Sequence, residues 1–411
     1  MTIELRGIGP DQWDPFFDMV IRAFHSNGEA VEERAMWRGV IEFDRITSAW
    51  DGDELVGSAG LHSFRMTVPG GDLLPVAGVT MVTVQPTHTR RGILTSMMRR
   101  QLDSLHEGGE SVAVLTASEP AIYGRFGYGV ATQEMHGRVD SARAGFTVPD
   151  GADGIRLRLV DVADPDVLAA CEAVYARLVP GRAGMLARQP GWEKGPILDA
   201  PATRGGSGPL LCVLAETGGE VRGYARYAVA RTSGPGGPAS TVNLRNIGAL
   251  DPVTYAALWR YLASIDLTAA VAFDNLAIDD PLLHLVADQR RCELGFLDGL
   301  HLRLVDVGPA LAARAYSVPV DVVLDVADAF CPWNAGRWRL TGDAKGATCE
   351  RTDDPADLAL DVKELGAAYL GGPTLRAMAG AGLVRELRPG ALAETCDAFR
   401  TAPAPWLPHG F

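Results

Sequence analysis

The sequence lacks several features that would decide its class at once. No apolar run in its 411 residues approaches the ~20 needed to cross a membrane. The opening Met-Thr-Ile-Glu-Leu-Arg has no basic segment followed by an apolar block, so no signal peptide is read and a cytoplasmic location is expected. Six cysteines (Cys171, Cys212, Cys292, Cys331, Cys349, Cys396) are scattered without a Cys-x-x-Cys pair, and the eight histidines do not cluster. That pattern suggests neither a disulfide framework nor a zinc site, so reduced structural thiols and no metal are expected. Lysine is scarce, at Lys194, Lys345 and Lys363 only. Beside abundant alanine, glycine and arginine, this reflects codon usage rather than function.

What is present is a soluble, acidic composition: 47% hydrophobic, 22% charged, with a formal net charge of −13. The charge argues against nucleic acid or an anionic membrane as main partner. It suits a cationic ligand such as a polyamine, an amino sugar or a lysine-rich chain, although acidity for solubility alone gives the same balance. The length suggests two to three domains.

The stretch Val82-Thr83-Val84-Gln85-Pro86-Thr87-His88-Thr89-Arg90-Arg91-Gly92-Ile93-Leu94-Thr95 organises the first part. Val79 to Val84 is β-branched and apolar, a buried strand stopped by Pro86. After Gly92, the apolar positions Ile93, Leu94, Met97, Met98, Leu102 and Leu105 recur at helical spacing. Two arginines and a glycine therefore stand at a helix N-terminus, where free N–H groups and the positive dipole end can cradle a pyrophosphate. An ordinary strand–turn–helix corner reads the same way. No Gly-Lys-Ser/Thr and no Gly-x-Gly-x-x-Gly supports a P-loop or a dinucleotide fingerprint.

Upstream, Asp11 to Phe24 carries apolar residues at i, i+3, i+4 and i+7, an amphipathic helix. A second helix is expected around Ala30 to Glu42, with a hairpin turning at Asp51-Gly52-Asp53-Glu54. Near that second helix, Glu29, Glu32, Glu33 and Trp37 could hold a polyamine by charge and stacking, or form a solvated face with one buried Trp. Downstream, Ser111 to Ser118 reads as another buried strand. Ser118 or Glu119 then caps a short helix with Pro120 in its first turn, which puts Tyr123 just past a strand end.

Here a resemblance enters. Val-x-Val followed by Arg-Arg-Gly-Ile-Leu resembles the acetyl-CoA loop of GNAT N-acetyltransferases. Tyr123-Gly124-Arg125-Phe126-Gly127-Tyr128-Gly129 resembles the tyrosine signature after their fifth strand. The resemblance implies acetyl-CoA bound by Val82, Thr83, Val84, Arg90, Arg91, Gly92, Ile93, Leu94 and Thr95, with Ser118 and Glu119 completing the site. It also implies Tyr123 as the general acid that protonates the departing thiolate. A phenol near pKa ≈ 10 is close enough to a thiol to share that proton.

Loop formers at Val148 to Gly154 mark a first boundary. Beyond it, Thr241 to Ile247 runs through Asp251-Pro252 into a helix at Val253 to Ile265, repeating the strand–turn–helix layout without Arg-x-x-Gly. A carboxylate in that turn would repel a pyrophosphate. The last hundred residues, with Phe330-Cys331-Pro332-Trp333, Tyr369-Leu370-Gly371-Gly372 and the Pro405-Trp406-Leu407-Pro408-His409-Gly410-Phe411 tail, resemble a sterol-carrier-protein-like domain. The order of these pieces resembles the Eis (enhanced intracellular survival) family of acetyltransferases.

The expected fold class is therefore α/β (α+β), with mixed central sheets in two GNAT-like domains. The divisions are 1–150 (catalytic GNAT), 151–305 (degenerate GNAT) and 306–411 (sterol-carrier-like). The resemblance further implies direct acetyl transfer to amino groups of aminoglycosides, a terminal carboxylate on Phe411 as general base, Trp37 lining the acceptor pocket, and a homohexamer. Thr89 stands where many relatives have arginine, and Ser26, Asn27 and Gly28 offer no acid where some relatives place one. The rival readings are a protein lysine acetyltransferase and, from another class, a lipid carrier with a silent GNAT part.

Overall fold

The computed structural model describes residues 3–25, 30–234 and 237–411. Ser26, Asn27, Gly28 and Glu29 lie outside the described residues, as do 235–236 in the Gly/Pro-rich tip.

The first sheet is built from β1 (Ile3–Arg6), β2 (Thr47–Asp51), β3 (Glu54–Thr67), β4 (Leu73–Val84), β5 (Val112–Thr116) and β6 (Gly129–Val130). Helices α1 (Trp13–Ala23), α2 (Val31–Val40) and α3 (Ile93–Glu107) accompany it. Helix α1 buries Trp13, Phe16, Phe17, Met19 and Val20, the stripe its periodicity predicts. Helix α3 buries Ile93, Met97, Met98, Gln101, Leu102 and Leu105.

The second sheet contains β7 (Gln133–Asp140), β8 (Arg156–Val160), β9 (Leu211–Thr217), β10 (Glu220–Ala230), β13 (Ser240–Ala249), β14 (Thr268–Ala277) and β15 (Gly295–Asp298). Two short strands, β11 (Ser233–Gly234) and β12 (Gly237–Pro238), pair beside it. Its helices are α4 (Pro165–Leu178) and α5 (Pro252–Ala263).

Strand β16 (Leu300–Leu304) returns to the first sheet, whose order is β1-β2-β3-β4-β5-β16-β6. The second sheet runs β15-β7-β14-β13-β10-β9-β8. The two halves thus exchange strands: residues 133–140 pair antiparallel with β14, and residues 300–304 pair antiparallel with β5. Sheet membership therefore crosses the division expected at 150 in both directions. Loop composition marks where the chain turns, whereas strand pairing across 130 or more residues is a tertiary choice that local composition does not record.

The third sheet, β19-β18-β17-β20-β21, uses β17 (Val320–Ala327), β18 (Gly336–Asp343), β19 (Gly346–Arg351), β20 (Leu358–Asp361) and β21 (Val384–Glu386). One continuous core joins the first sheet (Met66, Val76, Val112, Val114, Leu302) to this domain (Leu324, Leu365, Tyr369, Phe399) and to Leu407 of the tail. Each such large side chain contributes about 1.5–3 kcal/mol over its exposed state. All six cysteines are free and buried. Among the described residues no helix is long and apolar enough to cross a membrane.

Candidate active site

Strands β4 and β5 run parallel but pair only at Ala77–Ala113 and Gly78–Val114. Beyond Gly78 they part, while β4 stays bound to β3 on its other side up to Gly57–Val84. Met81 takes a left-handed φ of 49° within this segment, where the β3–β4 register also shifts. The result is a cleft with one backbone edge of Val79 to Val84 unpaired among the described residues. The side chains of Val82 and Val84 pack with Ala49, Val56 and Met97, and Thr83 Oγ1 donates to Met19 Sδ at 3.5 Å. Thr83 is buried, while Val82 and Val84 are half-buried beside the unpaired backbone edge.

The turn that follows is pinned from below. His88 is buried, with Nε2 at 3.2 Å from Asp51 Oδ2 and Nδ1 at 2.8 Å from Thr87 Oγ1. Thr89 Oγ1 donates to the Pro86 carbonyl at 3.2 Å, and Arg91 Nη2 donates to the Thr87 carbonyl at 3.0 Å. Arg90 and Gly92 both adopt left-handed φ, 61° and 79°. For arginine this costs about 1–3 kcal/mol, which the anchored turn must hold. Gly92 is the N-cap of α3, with no side-chain cap and no acid in the first turn.

The N–H groups of Ile93, Leu94 and Thr95 are thus left for a ligand, beside two exposed arginines. A Cβ at Gly92 would meet nothing within 4 Å, so the approach is open. These residues fit the pyrophosphate end of coenzyme A. Ile93 itself points into the core, so it can contribute only its backbone.

Across the cleft, β5 ends at exposed Thr116, and exposed Ser118 and Glu119 lead to a 3-10 helix at Pro120–Phe126. Glu119 stands at its N-cap position without making the side-chain cap. Tyr123 packs among Ala77, Val79 and Leu115, its ring 6.0 Å from Tyr128. Its hydroxyl has no partner among the described residues. Burial, with a smaller push from Glu119, raises its pKa to about 12, so it is protonated at neutral pH.

Phe411 enters this cleft. Its main-chain oxygen accepts from Thr80 Oγ1 at 3.3 Å. Its ring lies 4.9 Å from that of Phe64, over Gly78, where any Cβ would come within 3.0 Å of it. From Phe411 an aromatic wall continues through Phe64 to Trp192 (5.1 Å), His62 (4.9 Å from Trp192) and Trp37 (6.0 Å from Trp192). Neither ring nitrogen of buried His62 has a hydrogen-bond partner among the described residues. Burial, reinforced by Arg45 against Glu42, lowers its pKa to about 4.

The cleft thus gathers Val82 to Val84, Arg90 to Thr95, Ser118, Glu119 and Tyr123 around its two strand ends, and Phe411 at its floor. Trp37 stands at the far end of the wall. Sequence reasoning missed Phe64, His62 and Trp192. Phe64 and His62 read as strand interior, and nothing local distinguishes them. Trp192 sits in Gln189-Pro190-Gly191-Trp192, and a Trp in a Pro/Gly loop was the one available signal.

Comparison with known proteins agrees with this architecture. Residues 4–131 and 184–304 each match the acetyltransferase (GNAT) domain, and residues 307–408 match the sterol carrier protein domain. The protein is therefore an N-acetyltransferase with two GNAT domains and a sterol-carrier-type C-terminal domain. It is 57% identical over its full length to an uncharacterized N-acetyltransferase of Streptomyces avermitilis, covering 100% of both chains. It is 34% identical to the N-acetyltransferase Eis of Mycobacterium tuberculosis, over 94% of each. The crystal structure of Eis1 from Mycobacterium abscessus superposes with a TM-score of 0.84 at 33% identity, covering 100% of both. The chain belongs to the Eis family of N-acetyltransferases. GNAT acetyltransferases use acetyl-CoA, so acetyl-CoA is the donor.

Proposed function

We propose that this N-acetyltransferase transfers acetyl directly to amino groups of aminoglycoside-like polyamines, at several positions where the acceptor offers them. Acetyl-CoA supplies the thioester acetyl group. The Phe411 carboxylate takes a proton from the acceptor ammonium, freeing the nitrogen lone pair to form the C–N bond. As the C–S bond breaks, Tyr123 gives its phenolic proton to the departing thiolate sulfur. Its raised pKa keeps that proton in place until sulfur becomes basic enough to share it.

An α-carboxylate, ordinarily near pKa 3.3–3.7, is a weak base, but beside an ammonium it also supplies attraction. The backbone of Val82, Thr83 and Val84, with Arg90, Arg91, Gly92, Ile93, Leu94, Thr95, Ser118 and Glu119, holds acetyl-CoA in this reading. Trp37 and the aromatic wall receive the acceptor, since ring faces attract cations. A cytoplasmic homohexamer is part of the same proposal, to be checked by light scattering of the purified chain.

The observation that carries the reading is the main-chain oxygen of Phe411 held by Thr80 where β4 leaves β5. CoA release with kanamycin, measured for the full chain and for a chain ending at Gly410, tests it. Activity in the first and its collapse in the second is the expected result. Activity in both discards the terminal base. Turnover of a lysine peptide but not kanamycin replaces the acceptor class.

A further inference from the structure

The second GNAT domain has its own parting of strands. Strands β13 and β14 pair in parallel from Ser240–Thr268 to Leu244–Phe273 and then separate. Each stays paired on its outer side, β13 with β10 and β14 with β7. This is the same construction as the β4/β5 cleft, but the turn after it is closed to phosphate. Asp251 caps α5 by accepting from Thr254 N at 2.8 Å and from Arg222 Nε at 2.9 Å. The second cleft is filled instead by the chain's own tail.

The filling is specific. Asn275, on β14 just past the last pair with β13, accepts from Trp406 Nε1 at 2.6 Å and donates to the Leu407 carbonyl at 3.0 Å. Trp406 N donates to the Ala183 carbonyl at 2.9 Å. Asp279 accepts from Ala404 N at 2.8 Å and from Arg182 Nη1 at 2.7 Å, and Arg182 also donates to the Ala404 carbonyl at 2.7 Å. Tyr175 OH donates to the Leu186 carbonyl at 2.7 Å and lies 3.0 Å from His409 Nε2. A small cavity of about 40 Å³ remains beneath Trp406 and His409, beside Arg188 and Asn246.

Ala404, Trp406, the Leu407 carbonyl and His409 are therefore held by polar contacts to the second domain, and Phe411, two residues on, reaches Thr80 in the first. Ordering a free chain end costs roughly 1–2 kcal/mol per residue in backbone entropy alone. In the first domain Phe411 is held by one 3.3 Å hydrogen bond from Thr80 and by its ring against Phe64 at 4.9 Å, contacts that fix the last residue and not the segment leading to it. We infer that the second GNAT domain positions the terminal carboxylate, its vacated cofactor cleft clamping residues 404–409 through Asn275, Asp279 and Tyr175 so that Phe411 meets the acceptor amine. The inference rests on the reading of Phe411 as the base. Asn275 is a positioning residue, touching neither donor nor acceptor.

The test compares the native chain with Asn275→Ala, Tyr175→Phe and a chain lacking Phe411. Amide hydrogen exchange and CoA release are both measured, with kanamycin and a blocked lysine peptide as acceptors. In Asn275→Ala the Ala404 and Trp406 amides should exchange at least about ten times faster, with β4 and α3 protection unchanged. The same variant should lower kcat by about 10- to 100-fold at unchanged KM for acetyl-CoA, the size of effect a small misplacement of a reacting group produces.

Added to the Phe411-deleted chain, Asn275→Ala should cause no further loss of kcat. Tyr175→Phe, which removes the hydroxyl contacts to Leu186 and His409 and keeps the ring, should show the same pattern more weakly and serves if Asn275→Ala does not fold. Unchanged tail exchange overturns the inference whatever the acceptor. A loosened tail with full kcat, in a chain that needs Phe411, overturns it alone. Dispensable Phe411 strikes the base assignment itself.

Discussion

The two strand–turn–helix corners of this molecule share a layout and differ in charge. After β4 the turn offers Arg90, Arg91 and an uncapped Gly92, leaving the first-turn amides of α3 open. After β13 the turn offers Asp251, whose carboxylate is already spent on Thr254 and Arg222. Burial works against ionising Asp251, yet the Thr254 amide and the Arg222 guanidinium outweigh it and hold the carboxyl below its ordinary range. An open N-terminus with basic neighbours attracts a dianionic phosphate; a capped one with a carboxylate repels it. The comparison teaches that two corners can share strand geometry and differ in the chemistry of the turn. In the second, the opening in the sheet lies against the tail, with Trp406 on Asn275.

The comparison can be broken most severely at Tyr123. If only the first cleft performs chemistry, Tyr123→Phe should lower kcat by about 10²- to 10⁴-fold with KM for acetyl-CoA little changed. Residual activity at the native rate would mean that the phenol is packing. Acid offers a second probe, because His62 near the first cleft is buried neutral, with a pKa of about 4 against an ordinary 6.5. Between those values the unfolded state binds a proton that the folded state refuses, so stability falls as pH drops through that window. The loss reaches about 3 kcal/mol at its lower end. His62→Phe should remove that share, seen as a smaller shift of the urea midpoint between pH 7 and pH 4.5; an identical shift would contradict it.

Two substitutions sharpen the comparison at the turns themselves. Gly92→Asp gives the first corner the acid of the second. It should raise KM for acetyl-CoA about 10- to 100-fold, the loss of one or two charge-assisted hydrogen bonds. Asp251→Ala removes the cap from the second corner and should cost about 1–2 kcal/mol of stability in urea titration. Acetyl-CoA stoichiometry in calorimetry should stay at one per chain. A second acetyl-CoA appearing in that variant would show that charge alone had silenced the cleft.

Much of the first cleft is legible along the chain. Val79 to Val84 and Ile93 to Leu105 announce strand and helix because their periods are long and clean, and the Arg-Arg-Gly between them can stand only at a helix N-terminus. Tyr123 is legible because it follows a strand end within a short motif. The carboxylate at Asp251 is legible as a phosphate-repelling residue, though its place as the cap of α5 is visible only with Thr254 and Arg222 around it.

The aromatic wall is not legible. Phe64, Trp192 and Phe411 come from three distant segments, and each alone reads as core, loop or chain end. Nor is the exchange of residues 133–140 with residues 300–304, since a strand's composition says that it pairs but not with what.

Local order, the basic turn and the resemblance to a known family therefore lay in the sequence, because propensity, periodicity and motif spacing act over a dozen residues. Which sheet each crossing strand joins, and where the tail lies, only the tertiary structure decided. Those choices are made by contacts between residues 100 to 330 apart, such as Thr80 with Phe411 and Asn275 with Trp406. Their free energy exists only once both partners are already in place.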